Sequence, residues 1–201
     1  MNEPEEQKRL VIEAYHEAAH AVACHLLHKR YKYVTIKPTG EKLGEIIYQP
    51  KSTKKYPSEK ERKMFGRDVT VFMAGPIAEG ILSGKTNYED VFPLHSSGDK
   101  HKIDYIFWKI SFDDTKLLIY APRNWQAVTR LANYLLSEET INHQSARMII
   151  EESFVDYDNG LRREITASHY TQYSLYQKQV SEDRVKFRER METVHKGLRK
   201  E

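Results

Sequence analysis

The sequence predicts a mainly α-helical fold with a small β-hairpin or sheet, which places it in the α+β class. Apolar residues recur at helical spacing along most of the chain. One stretch, residues 31–48, instead alternates β-branched and aromatic residues with polar ones around a turn at Pro38-Thr39-Gly40. The length of 201 residues is enough for one domain with a sizeable core and an appendage.

The elements follow in order from local patterns. An alanine-rich run with helical apolar spacing predicts a first helix over residues 10–28. Two strands are predicted at residues 31–37 and 43–48, joined as a hairpin. A long helix is expected over residues 58–82, where Gly75-Pro76 predicts a kink or a helix junction because proline lacks an N–H. Three further helices are predicted at residues 98–110, 115–137 and 141–156, and Pro122 can break the second of them.

The end of the chain differs in composition from the rest. Asn159-Gly160 is a helix stop signal, so we expect a domain of residues 1–158 and a charged helical extension of residues 159–201. Dense mixed charge favours a solvated helix with i,i+4 ion pairs. The alternatives are a surface in residues 184–200 that binds nucleic acid or an anionic membrane, or a docking arm. The net charge of +3 does not by itself imply nucleic acid, and no such partner is expected.

The composition also bears on the compartment. The chain has a single cysteine, Cys24, so it has no intramolecular disulfide and suits a reducing environment. The N-terminus shows no apolar signal region, and no apolar run approaches the roughly 20 residues that span a bilayer. We therefore expect a cytoplasmic protein without a transmembrane segment.

The chemistry of the chain is concentrated in the first helix, which carries the residues HEAAH from His16 to His20. Residues four apart lie on one helix face, so His16 and His20 can bind one zinc ion. Glu17 has the residue type and the position expected of a general base that takes a proton from the attacking water. The pattern predicts a zinc site in which Glu17 is catalytic.

A catalytic zinc needs a third protein ligand, and the residues leave several candidates. An extended pattern with glycine and histidine after HEAAH is excluded, because Ala23 and Leu26 occupy those positions. Glu41 and Glu45 have suitable sequence separation but fall in the predicted hairpin. The remaining candidates follow the long helix: His95, Asp99, His101 and Asp104.

Several blocks together resemble a known family. They read EAYHEAAHAVACHLL, VTIKPTGEKLGEI, MAGPIAEGILSG and SSGDKH, in this order. They are similar to the protease domain of the FtsH-type (M41) membrane-anchored, ATP-dependent zinc proteases. The resemblance implies a zincin-like domain with the HExxH helix and a C-terminal helical bundle. It implies one zinc per chain, bound by His16, His20 and Asp99, with Glu17 as general base and a polypeptide substrate.

Some positions depart from that family. Pro76 stands where the family has arginine, and Gly98 stands where it has asparagine. Glu79 matches the family's acidic position, as a partner of a ligand histidine or as a surface acid. The chain has no G-x-x-x-x-G-K-[ST] phosphate loop. We therefore expect a protease domain standing without its ATPase module, served by an ATPase or adaptor in trans, and its oligomeric state stays open.

These observations predict a zinc-dependent endopeptidase that is ATP-independent by itself and cleaves unfolded or extended polypeptides. The substrate would pair with the second strand through Leu43, Gly44, Glu45 and Ile46. The alternative is a catalytically inactive zinc-binding domain that serves as a peptide- or protein-interaction module.

Overall fold

The structure is a computed structural model that describes residues 3–38, 44–48, 59–85, 87–92, 102–162 and 165–198. The chain divides into two compact units, Met1–Ile165 and Thr166–Glu201. The boundary predicted from the sequence, between residues 158 and 159, lies shortly before this division.

The first unit contains six helices and three strands among the described residues. The helices are α1 (Glu3–Leu26), α2 (Glu59–Leu82), α3 (Tyr88–Val91), α4 (Lys102–Tyr120), α5 (Pro122–Glu138) and α6 (His143–Asp158). The strands are β1 (Tyr31–Thr35), β2 (Glu45–Tyr48) and β3 (Thr140–Asn142). The second unit contains α7 (Ala167–Leu198). The mostly helical architecture with one small sheet confirms the predicted α+β class.

The sheet is antiparallel, with the strand order β2-β1-β3. The predicted hairpin forms as β1 and β2, where Val34 faces Ile46 and Thr35 faces Glu45. The third strand was not predicted. It occupies only three residues between two helices, and it is held by pairing with β1, for example Ile141 with Val34. A strand that short has no periodicity of its own to detect.

The core of the first unit is built around α1. Its buried face consists largely of alanine, and α2 and α5 both pack against it. Small side chains let helix backbones approach one another closely. This close approach of α1 and α2 positions the groups described below. The buried alanines of α1 are Ala14, Ala18, Ala19, Ala21 and Ala23.

Two helices extend beyond the limits that their local sequence patterns suggest. The long helix has no junction at Gly75-Pro76, since α2 continues as one element to Leu82. Pro76 deprives the Phe72 carbonyl of its helical partner, but Phe72 lies on the exposed face, where water can replace the missing N–H. The first helix begins at Glu3, ahead of residue 10, because its exposed first turns form helix without an apolar pattern.

The helices after residue 102 also differ from the prediction. The described part of α4 runs without interruption from Lys102 to Tyr120, across the predicted gap at residues 111–114. The predicted break at Pro122 is confirmed, because proline occupies the first turn of α5, where its missing N–H costs nothing. The next helix begins at His143 rather than Ile141, after the N-cap Asn142. None of the helices in the described ranges combines the length and apolar character that crossing a membrane requires.

Candidate metal centre

The two histidines of HEAAH lie on one face of α1, as their spacing predicts. Their Nε2 atoms face each other at 3.0 Å, and their rings meet edge to face with centroids 4.6 Å apart. Two ligands of one tetrahedral zinc, each at 2.0–2.1 Å, would lie about 3.3 Å apart. The separation of the two nitrogens is therefore close to what one shared ion needs.

Helix α2 holds both imidazoles through their other ring nitrogens. His16 Nδ1 donates to Glu79 Oε1 at 2.5 Å, and His20 Nδ1 donates to the Val71 carbonyl oxygen at 2.6 Å. Val71 and Glu79 are eight residues apart and share a face of α2. The two hydrogen bonds fix the orientation of both rings, which is the role that outer partners have in metal sites.

The hydrogen bonds also determine which nitrogens can bind an ion. A carbonyl oxygen only accepts, so His20 carries its proton on Nδ1 and presents a lone pair on Nε2. Burial lowers the pKa of His20 to about 3, with the neighbouring His16 charge acting in the same direction. His20 is therefore neutral near pH 7, which is the ligand form of histidine.

The pKa of His16 shifts in the opposite direction from that of His20. Burial disfavours its charged form, but the hydrogen bond to Glu79 and the charges of Glu17, Glu79 and Glu13 outweigh burial, and the net effect raises its pKa. Because His20 Nε2 can only accept, the proton in the 3.0 Å contact belongs to His16. A bound cation would replace that proton between the two nitrogens.

Glu17 lies beside the histidine pair in a buried position. Its side chain is 4% exposed, and its Oε2 has no hydrogen-bond partner among the described residues. Burial raises the pKa of Glu17 to about 7; the negative charges of Glu13, Glu45 and Glu79 act in the same direction, and His16 opposes them. A buried carboxyl group with a pKa near neutrality and an unfilled oxygen can both take up and release a proton.

The start of β2 packs against the same part of α1. A Cβ atom placed on Gly44 would lie 2.7 Å from Glu13 Oε1, 2.7 Å from the Thr35 carbonyl oxygen and 3.1 Å from Glu17 Cγ. Only glycine fits so close to the helix and β1. Glu45 and Ile46 follow in β2, which is an outer strand of the described sheet. The structure therefore places Gly44 against Glu17, and Glu45 lies close enough for its charge to act on Glu17. Ile46 follows in β2, and Leu43 lies outside the described residues.

Most of the candidates for a third ligand lie outside the residues that the structure describes, and Glu45, which is described, forms no metal-holding group there. Asp99, His95 and His101 belong to residues 93–101, which are outside the described ranges, and so is Glu41. Asp104 is on α4, but its side chain is outside the described part. Among the described residues, no three His, Cys, Asp or Glu side chains form a metal-holding group. The residues described here fit zinc as a two-histidine partial site, and Asp99 stays a prediction.

Two contributors to the site were not identified from the sequence. The Val71 carbonyl is a backbone group and leaves no side-chain signal. The sequence pattern indicates only a helix interruption at Gly75, although this residue lies four residues from both Val71 and Glu79 in the interior of α2. A glycine inside a strongly predicted helix is the signal that could have found it, because such a residue often marks close packing.

Comparison with known proteins relates part of the chain to one family. The model of the family described as peptidase family M41 matches residues 2–88, which include α1, β1, β2 and α2. None of the curated proteins matches the chain. The matched segment contains the histidine pair, Glu17 and the groups of α2 that hold both rings. The chain therefore contains an M41 peptidase-like domain.

Proposed function

We propose that the chain is a zinc-dependent endopeptidase that cleaves unfolded or extended polypeptides. The observation that carries the proposal is the arrangement around HEAAH. Two histidines, both oriented by α2, face each other through their Nε2 atoms, and the adjacent Glu17 has an oxygen to which none of the described residues donates. This combination is what a metallopeptidase requires and a surface helix does not.

The ion would be held by His16 and His20, with Asp99 as the third ligand that the family resemblance implies. Bound zinc polarises a scissile carbonyl and lowers the pKa of water. Glu17 accepts the proton of the attacking water and passes it to the leaving amine. Its raised pKa suits both steps, since the carboxylate must first take up a proton and then release it.

The substrate would lie along β2. An extended peptide can pair its backbone with the outer edge of this strand, which contains Glu45 and Ile46 and contacts the helix that carries Glu17. Pairing through the backbone favours substrates that are already extended. The 201 residues contain no phosphate-binding loop of the Walker type, so hydrolysis at this site would be ATP-independent, and an ATPase or adaptor in trans would supply any unfolding.

Replacing Glu17 by glutamine tests the proposal. We expect Glu17→Gln to bind one zinc per chain, as the unmodified protein does, and to hydrolyse a fluorescently labelled unfolded casein at least about 100-fold more slowly. Elemental analysis measures the zinc. Glu138→Gln, an exposed change at the end of α5, is the matched control for the glutamate-to-glutamine exchange and for contaminating proteases. Equal hydrolysis by Glu17→Gln and the control would refute the general-base role, and protein without zinc would refute the metal site.

A non-catalytic zinc-binding module is the second candidate function. Pro76 favours it, because this residue lies next to Gly75 on the helix that supports the site, at the position where the family has arginine. Structural zinc sites are closed by four protein ligands, whereas catalytic sites keep one position for water. X-ray absorption on the zinc-loaded protein separates the two, since a fourth protein ligand would identify the module.

A further inference from the structure

Gly75 lies in the interior of α2, between the two groups that accept hydrogen bonds from the histidines. A Cβ atom placed on Gly75 would be 2.5 Å from His16 Cδ2, 2.5 Å from His16 Nε2 and 2.5 Å from His20 Nε2. Real Cβ atoms essentially never lie this close to another heavy atom. The space that every other residue type would fill is therefore occupied by the ligand atoms of both rings.

The backbone of Gly75 does not itself call for glycine. It is not among the glycines with positive φ, and it belongs to a continuous helix in which alanine would be favoured. Glycine in a helix interior lowers stability relative to alanine. The close approach to the two imidazoles is the feature of the structure that requires a residue without a side chain here.

The rings cannot simply rotate away from an added methyl group. Each is tied to α2 through Nδ1, His16 to Glu79 and His20 to the Val71 carbonyl. The backbone of α1 is also held in place, because its buried alanines have no exposed surface and both α2 and α5 pack against the helix. A side chain at residue 75 must therefore break one of these hydrogen bonds or push the helices apart.

We propose that Gly75 is a positioning residue of the metal centre. By lacking a side chain, it lets α2 approach α1 until Val71 and Glu79 reach the Nδ1 atoms, and it leaves the room in which both Nε2 atoms face one ion. The steric part of this proposal concerns the metal-free chain. The part about ion binding rests on the proposed function.

The chain offers a matched control on the same helix. Gly66 is also a glycine of α2, and a Cβ atom placed on it would meet nothing within 4 Å. We expect Gly66→Ala to unfold at the same temperature as the unmodified protein or higher, and to bind Co²⁺ equally well. We expect Gly75→Ala to lower the unfolding temperature in EDTA by roughly 4–10 °C and to weaken Co²⁺ binding by about 100-fold. Circular dichroism and the visible absorption of Co²⁺ measure these quantities.

A second comparison keeps the test decisive even if Gly75→Ala folds poorly. In a His16→Ala/His20→Ala background the imidazoles are absent, so Gly75→Ala should cause no loss of thermal stability there. An equal loss in both backgrounds would show that the histidines are not the cause, and would overturn the proposal. Undiminished Co²⁺ binding by Gly75→Ala would overturn it as well.

The same experiments separate the proposal from the proposed function. If the unmodified protein binds neither Co²⁺ nor Zn²⁺, the zinc peptidase proposal fails. The steric coupling between Gly75 and the two histidines is then decided by the metal-free unfolding temperatures alone. A loss confined to the background that retains both histidines would support the positioning role of Gly75.

Discussion

Glu79 is the residue whose charge acts most directly on the histidine pair. It accepts the hydrogen bond of His16 Nδ1 and helps to raise the pKa of that ring. We expect Glu79→Gln, which can keep an acceptor but loses the charge, to weaken zinc binding about tenfold, and Glu79→Ala to weaken it about 100-fold. Competition with a chromogenic chelator measures the affinity. Glu152→Gln, on the exposed face of α6, should leave it unchanged, and zinc binding by Glu79→Ala at full affinity would contradict a supporting role.

Cys24 illustrates how burial controls a reactive group at the scale of one residue. Its side chain is fully buried in α1, and burial raises the pKa of the thiol to about 12, while Lys29 lowers it and Asp68 raises it by smaller amounts. Only the thiolate reacts with aromatic disulfide reagents. We expect the native protein to release no chromophore from such a reagent at pH 8, and to react with one equivalent in guanidinium. Rapid reaction of the native protein would show that this part of α1 is not packed as described.

At the scale of elements, Asn142 joins the end of β3 to the start of α6. Its backbone pairs with Tyr33 of β1, and its side chain accepts a hydrogen bond from the Ser145 N–H. We expect Asn142→Ala to lower the free energy of unfolding by about 1 kcal/mol, because an orphan N–H of the helix loses its partner. Asn142→Asp retains a capping oxygen and should cost little. Urea titration measures both variants, and equal stability of the alanine and aspartate variants would rule out the cap.

The packing of α5 against α6 depends on a buried amide. Gln126 is fully buried, and its Nε2 donates to the carbonyl oxygens of Ser153 and Leu161. We expect Gln126→Leu to lower the free energy of unfolding by about 1–3 kcal/mol, because two carbonyl oxygens lose the amide that donates to them. Gln144→Leu on the exposed side of α6 is the control. If Gln126→Leu is as stable as the control, water must replace the amide as the hydrogen-bond donor to these carbonyl oxygens.

At the scale of the whole molecule, the division into two units makes a direct prediction. The unit Met1–Ile165 contains the sheet, the six helices that precede α7 and the described residues of the candidate site. We expect a chain ending at Ile165 to unfold in one cooperative transition and to bind zinc with the affinity of the full chain. Calorimetry and elemental analysis test this. Aggregation of the shortened chain, or loss of zinc, would show that residues 166–201 are needed for folding or for the site.

The features that the sequence itself determined are those that depend on neighbouring residues. The four-residue spacing of His16 and His20 places them on one face of any helix, and apolar periodicity locates most helices and the β1–β2 hairpin. The start of α5 at Pro122 follows from the chemistry of proline, and the end of α6 before Asn159 follows from that of the turn. The proposed general-base role of Glu17 likewise rests on its spacing from the two histidines.

Only the tertiary structure decided what holds the histidines. His16 meets Glu79 across 63 residues of sequence, and His20 meets the Val71 carbonyl across 51. Both contacts, and the requirement for glycine at residue 75, come from how closely α1 and α2 approach. That approach depends on packing between distant segments and leaves no local pattern. The same holds for β3, whose pairing with β1 depends on the fold, and for Glu17, whose pKa rises because the folded chain removes it from water.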